Sequence, residues 1–240
     1  MSDPFIAAAI LEGVPSSFQS TRDSIDAVLR DRGLRKSTPE HTARSLLLGA
    51  WASATLEGSS FEVDELAEGG GDATAQAAVR LSTQLLGLLP MWRSSPVQAL
   101  ARIHAIAASG SVSDEDLGRP VNPAGVARLQ NLGEMLKQKT EAPALVVAAL
   151  VHAEIIAAGA FISHNSVVAR AAERLMFVDR GIDPASVTVP EVGHVMDSGG
   201  YFASLKAYET RATGVHQWLL YCSDSYARAA EASPLHKGLD

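Results

Sequence analysis

The stretch APALVVAALVHAEIIAAGAFI, Ala142–Ile162, decides the fold of this chain. It is apolar on every side and long enough to span a bilayer, yet His152 and Glu154 fall at its middle. A carboxylate at a bilayer centre costs about 2.5–3.5 kcal/mol even on the most permissive insertion scale. A helix apolar all round is equally the buried centre of a water-soluble domain, and the segment is read that way. On this reading Leu145 to Ala158 is closed to water, His152 is hydrogen-bonded, and Glu154 sits at a polar seam or is paired. A buried carboxylate without a partner would cost several kcal/mol.

Outward from this spine the chain keeps helical spacing. Before it, VARLQNLGEMLKQK is helical; after it, SVVARAAERLMFVDRG is amphipathic, ends at Gly181 and is followed by Pro184. Further upstream, STPEHTARSLLLGAWASATLEG has Ser37 or Thr38 as cap and Pro39 as its first helical residue, with Gly58 as its stop. Ser20, Thr21 and Asp23 open a polar helix that runs to Leu34. The triple glycine of EVDELAEGGGD marks a loop. ATAQAAVRLSTQLLGLLPMW and SPVQALARIHAIAASG give two more helices, and Ser109–Gly125 connects. VPEVGHVM, YFASLKAYETRA and VHQWLLYCSDSYARAAEA complete the pattern. There is no strand alternation and no internal repeat. The expected fold is all-α and a single domain over 1–232. Its N-terminal helical part is 1–65 and its core 72–232, with 233–240 as a flexible tail.

Composition narrows the function. Of the residues 47% are hydrophobic but only 5% aromatic, so alanine and aliphatic side chains must build the core. The formal net charge of −7 and the absence of a basic cluster argue against a nucleic-acid partner. The lone Cys222 excludes disulfide frameworks and cysteine-rich zinc sites, in keeping with a reducing cytoplasm. The apolar run FIAAAIL has no preceding Lys or Arg, against a secretory signal. No membrane partner is expected.

Other chemistries lack their motifs. His152-Ala153-Glu154 has the His-x-Glu of zinc deaminases but not the paired cysteines. His152, His164 and His194 match no common zinc spacing, so no metal site is expected. Buried His104 and His152 read as hydrogen-bonded core residues. GGGDATAQ follows no strand, and neither a phosphate loop nor a nucleophile elbow is present.

The loop GAFISHNSVVAR, Gly159–Arg170, resembles the signature HxFx[DE]GNGRxxR of the Fic family, whose members transfer AMP or related phosphate-containing groups onto proteins. Phe161, Asn165 and Arg170 match. His152 matches a histidine frequent on the family's preceding helix. ASATLEG resembles the family's inhibitory motif through Ser53, Glu57 and Gly58. ALARIHAIA resembles its Leu-His helix. The resemblance implies a helical bundle around a buried central helix, with the inhibitory-type helix in the same domain.

It also implies losses. Gly159 stands where the family has its general base and Ser163 where it has the acid that holds magnesium. His164 and Ser166 replace the phosphate-facing glycines, and Val167 replaces the first arginine. Loss of a general base alone costs about 10²–10⁴-fold. SGSVSDEDLGRPVNPAG contains no two-strand pattern for the family's peptide-docking hairpin. Two readings follow. One is a pseudoenzyme with no cofactor, acting through an unidentified protein partner, a second copy of itself being one candidate. The other is a transferase using ATP and magnesium with His164 as a displaced base, in which Asn165, Arg170 and His164 would hold phosphate. The resemblance further implies a Glu57–Arg170 ion pair across two helices; the alternative is a solvated Glu57 at its helix end and an exposed arginine face of Arg170 and Arg174.

Overall fold

The computed structural model describes residues 3–31 and 38–237. Fourteen α-helical segments and one short 3-10 turn make up the architecture, and no strand occurs among the described residues. In order they are α1 (Ile6–Ala9), α2 (Val14–Asp31), α3 (Pro39–Leu56), α4 (Val63–Ala67), α5 (Ala73–Leu85) and α6 (Leu89–Ser94). Then come α7 (Pro96–Ala107), α8 (Pro123–Leu136), α9 (Ala144–Ala158) and α10 (Asn165–Asp179). The chain closes with α11 (Pro190–Met196), α12 (Ser198–Thr210), α13 (Gly214–Glu231) and α14 (Pro234–Lys237).

The spine is α9. Every residue from Leu145 to Ala153 is buried, as are Ile155 and Ala158. Trp218 of α13 donates its indole N–H to the Ala149 carbonyl (2.7 Å), fixing α13 across the spine. Glu154 lies at a seam, where Arg128 of α8 meets it through two hydrogen bonds (2.6 and 3.0 Å) and the Tyr208 hydroxyl of α12 donates to it. No helix among the described residues is long and apolar enough to cross a membrane.

Local signals place most boundaries. Thr38 precedes Pro39 at the start of α3, and Gly58 (φ +95°) ends that helix with Ser59 N–H on the Ala54 carbonyl. That bond pattern closes a helix because glycine reaches the left-handed region without a Cβ clash. Pro96 opens α7 after Ser95.

Four expectations are corrected. Helix α2 opens at Val14, not at Ser20–Asp23, because Val14, Phe18, Thr21, Ile25 and Leu29 form one buried stripe; its expected end at Leu34 lies outside the described residues. The loop before the glycines contains α4, whose Leu66 is buried. The helix expected over 73–92 is broken by the 3-10 turn Leu86–Leu88 into α5 and α6. The expected tail is not loose at its start: Ser233 and Leu235 are buried, and Leu235 joins the main core. Residues 238–240 lie outside the described residues.

Candidate functional site

The candidate site begins where α9 stops. Gly159 caps α9 in the left-handed region (φ +49°), turning the chain toward α10. The carbonyl of Ala160 accepts the backbone N–H groups of Val121 and Asn122 (2.8 and 3.3 Å). Phe161 is buried and stacks on His104 of α7, with ring centroids 4.4 Å apart. His104 is itself held by the Gly118 N–H, which donates to its Nδ1 (3.0 Å).

Asn165 then closes the loop on itself. Its Oδ1 accepts the Phe161 N–H (3.1 Å) and its Nδ2 donates to the Phe161 carbonyl (2.8 Å). Both ends of the amide are therefore engaged by the loop backbone. His164 caps α10 at φ +57°, a conformation that suits glycine. Its Nδ1 lies 2.7 Å from the Ser163 hydroxyl. Burial lowers the pKa of His164, so its neutral imidazole is favoured. Val167 is buried on the first turn of α10.

The end of α3 lies against this loop. Arg170 is 1% exposed, and its guanidinium donates to the Ser53 hydroxyl (2.9 Å), the Ser53 carbonyl (3.2 Å), the Tyr201 hydroxyl (3.2 Å) and Glu57 Oε1 (2.7 Å). The expected Glu57–Arg170 pair is present, one helix end pinned to the other. One turn on, Arg174 is also buried. It pairs with Glu191 of α11 (3.2 Å) and donates to the carbonyls of Ser45 and Thr188. Neither arginine offers a free fork for phosphate.

A cleft of about 280 Å³ remains between α3, α5 and the loop, lined in part by Glu57, Thr74, Ser163, His164 and Val167. The residues here do not fit a magnesium–nucleotide complex. Ser163 presents a neutral hydroxyl already bonded to His164, and the charged group lining the cleft is the carboxylate of Glu57. Gly58 lies just beyond, at the helix stop, and Ser166 on the first turn of α10 is half-buried.

Sequence reasoning missed a second cluster behind the loop. His152 of α9, Glu173 of α10 and His194 of α11 meet with no exposed surface. His152 Nδ1 is 3.0 Å from Glu173 Oε1, and His194 Nε2 is 3.0 Å from Oε2. Tyr226 donates its hydroxyl to Oε1. Burial pushes the Glu173 carboxyl up, but the two imidazoles beside it outweigh this and hold it well below the usual range. Burial raises Tyr201 to about 12. Gly193 makes the approach possible: a Cβ there would stand 2.1 Å from the Ser225 carbonyl, so only glycine lets α11 lie this close to α13. The three residues are spaced too widely for any local motif; the one usable signal was a polar residue on the apolar face of each helix.

A crystal structure of a Fic family protein from Desulfovibrio desulfuricans G20 matches this architecture with a TM-score of 0.76, at 16% identity, over 90% of this chain and 73% of that one. The chain has the Fic fold. No protein-family model matches the sequence, and no curated protein matches it.

Proposed function

We propose that this Fic-fold chain is a pseudoenzyme that transfers no nucleotide and works by binding a protein partner. The observation that carries the reading is the state of Arg170. The one signature arginine left in the loop is wholly buried and saturated by Ser53, Tyr201 and Glu57. Around it, Gly159 has no titratable group, Ser163 has no charge and Val167 has no donor. Phosphoryl and nucleotidyl transfer depend on positioned cations and donors, and removal of a single such donor costs about 10²–10³-fold. Glu57 on the cleft wall adds repulsion against a polyphosphate. A partner finds apolar contact at the loop mouth, where Ile162 and Val121 are half-exposed on adjoining segments.

His164 favours one other reading. It lines the cleft as a neutral imidazole, the form a displaced general base requires. Incubation with labelled ATP, magnesium and lysate separates the two, alongside thermal unfolding with millimolar ATP. No labelling and no stabilisation by nucleotide are expected. Labelling that disappears in His164→Ala overturns the proposal, and so does ATP binding that first appears in Glu57→Gln.

A further inference from the structure

Glu173 is a fully buried carboxylate that no guanidinium pairs with among the described residues. The two arginines nearest it in the sequence are already paired, Arg170 with Glu57 and Arg174 with Glu191. Among the described residues, the cation-forming groups within ion-pair distance of Glu173 are His152 and His194. A buried anion needs a compensating positive charge, because isolated burial is costly by several kcal/mol.

The geometry around it is that of a ligand set. Nδ1 of His152, a carboxylate oxygen of Glu173 and Nε2 of His194 all lie within 4.8 Å of one another. The two nitrogen–oxygen separations are each 3.0 Å, His152 to Oε1 and His194 to Oε2, so an ion here would be held by both oxygens of the carboxylate. Ligand atoms bound at about 2.0–2.1 Å to one ion at angles of roughly 90–110° stand about 3.0–3.4 Å apart. His152 Nδ1 supplies an independent sign. It is buried 3.0 Å from Glu173 Oε1, yet makes no well-aligned hydrogen bond there.

The outer nitrogens are held as metal-bound imidazoles require. His152 Nε2 is 2.9 Å from the Tyr201 hydroxyl. His194 Nδ1 is 3.1 Å from both the Tyr221 hydroxyl and Ser225 Oγ. Each hydroxyl oxygen is able to accept a ring N–H, so a neutral imidazole binds an ion by switching tautomer, with no net proton release.

We propose that His152, Glu173 and His194 bind one divalent transition-metal ion of the zinc type, stapling α9, α10 and α11 behind the loop. Two imidazoles and one carboxylate suit zinc, cobalt or nickel, whereas magnesium and calcium take oxygen-rich shells. With all three side chains closed to water, the ion enters as the chain folds. The site is independent of whether the loop is catalytic.

The test refolds the full chain from denaturant with zinc, with cobalt, or with a chelator, followed by gel filtration and metal analysis. One ion per chain is expected, with a visible cobalt absorption and an X-ray absorption spectrum containing two imidazoles. Affinity falls at least about 100-fold in Glu173→Gln and His194→Gln, since even outer-shell losses cost 10–100-fold. It is unchanged in His41→Ala and His216→Ala, whose rings are partly exposed. A chain that refolds equally well with chelator and retains no metal overturns the proposal and assigns the compensating charge to a histidinium. So does metal that leaves with His41 or His216. If the Glu173 and His194 variants fail to fold, the wild-type spectrum decides alone, and fewer than two imidazoles refutes the site.

Discussion

Arg170 is a buried guanidinium whose donors are spent on the fold: it ties α10 to the end of α3. Its own burial is nearly complete, whereas the Glu57 side chain is 31% exposed, and that asymmetry sets the energetics. Arg170→Met leaves two Ser53 acceptors and the Tyr201 hydroxyl without their partner but strands no buried charge, and should cost about 1–3 kcal/mol. Glu57→Gln keeps a carbonyl acceptor near the guanidinium but leaves the buried Arg170 charge uncompensated, and should cost about 3–5 kcal/mol. The double variant should be little worse than Arg170→Met, a coupling that urea unfolding of all four proteins measures. Additive losses would mean that the pair contributes nothing beyond its separate contacts. This pair was legible in the sequence because Glu57 and Arg170 each sit in a patterned segment. His152–Glu173–His194 was not, because contact among three helices is a tertiary fact that no spacing encodes.

At the scale of elements, boundaries were legible wherever a single residue type enforces them, as Gly58 does at the end of α3 and Pro96 at the start of α7. The start of α2 was misread because Ser20, Thr21 and Asp23 look like caps, while the buried stripe from Val14 outweighed them. Tertiary burial decides a helix end when a cap signal and a packing face compete. The spine was the clearest element, and its single carboxylate makes a pH prediction. Burial pushes the Glu154 carboxyl up, but hydrogen bonds from Arg128 and Tyr208 and the Arg128 charge outweigh it and lower its pKa. A depressed carboxylate stabilises the fold fully above its unfolded value, about 4.3, and that contribution is lost as pH falls through the lower folded value. Glu154→Gln should therefore be less stable than the parent by about 1–3 kcal/mol at neutral pH. The gap should close as pH drops below about 4. Urea midpoints across that range check the sign; a gap that widens in acid would refute it.

At the scale of the molecule, the sequence pointed to one domain, and the packing gives a reason to expect the N-terminal third to be inseparable from the rest. A single apolar cluster runs from Phe5 and Phe18 through the spine to Tyr226 and Leu235. Helix α2 lies on α13, where Thr21 donates its hydroxyl to the Ser223 carbonyl (2.9 Å). Helix α3 lies between α5 and α11, and it supplies Ser45, Ser53 and Glu57 to the two buried arginines. Gly49 belongs to the same joint, since a Cβ there would stand 3.1 Å from the Glu191 carboxyl group that meets Arg174. A chain cut at the glycine run 69–71 therefore separates two pieces that share one core. Alone, residues 72–240 would expose the apolar seats of α2 and α3 and strand Arg170 without its carboxylate and Arg174 without Ser45. Arg174 keeps Glu191, but an uncompensated Arg170 at about 3–5 kcal/mol, added to the exposed apolar seats, approaches the whole stability of an ordinary domain. The piece 72–240 should thus lack a cooperative thermal transition and near-ultraviolet circular dichroism when expressed by itself. Co-expressed with 1–71 it should recover both and co-purify as a one-to-one complex. A cooperative transition in 72–240 alone, close to that of the full chain, would show the N-terminal helices to be an accessory rather than part of the fold.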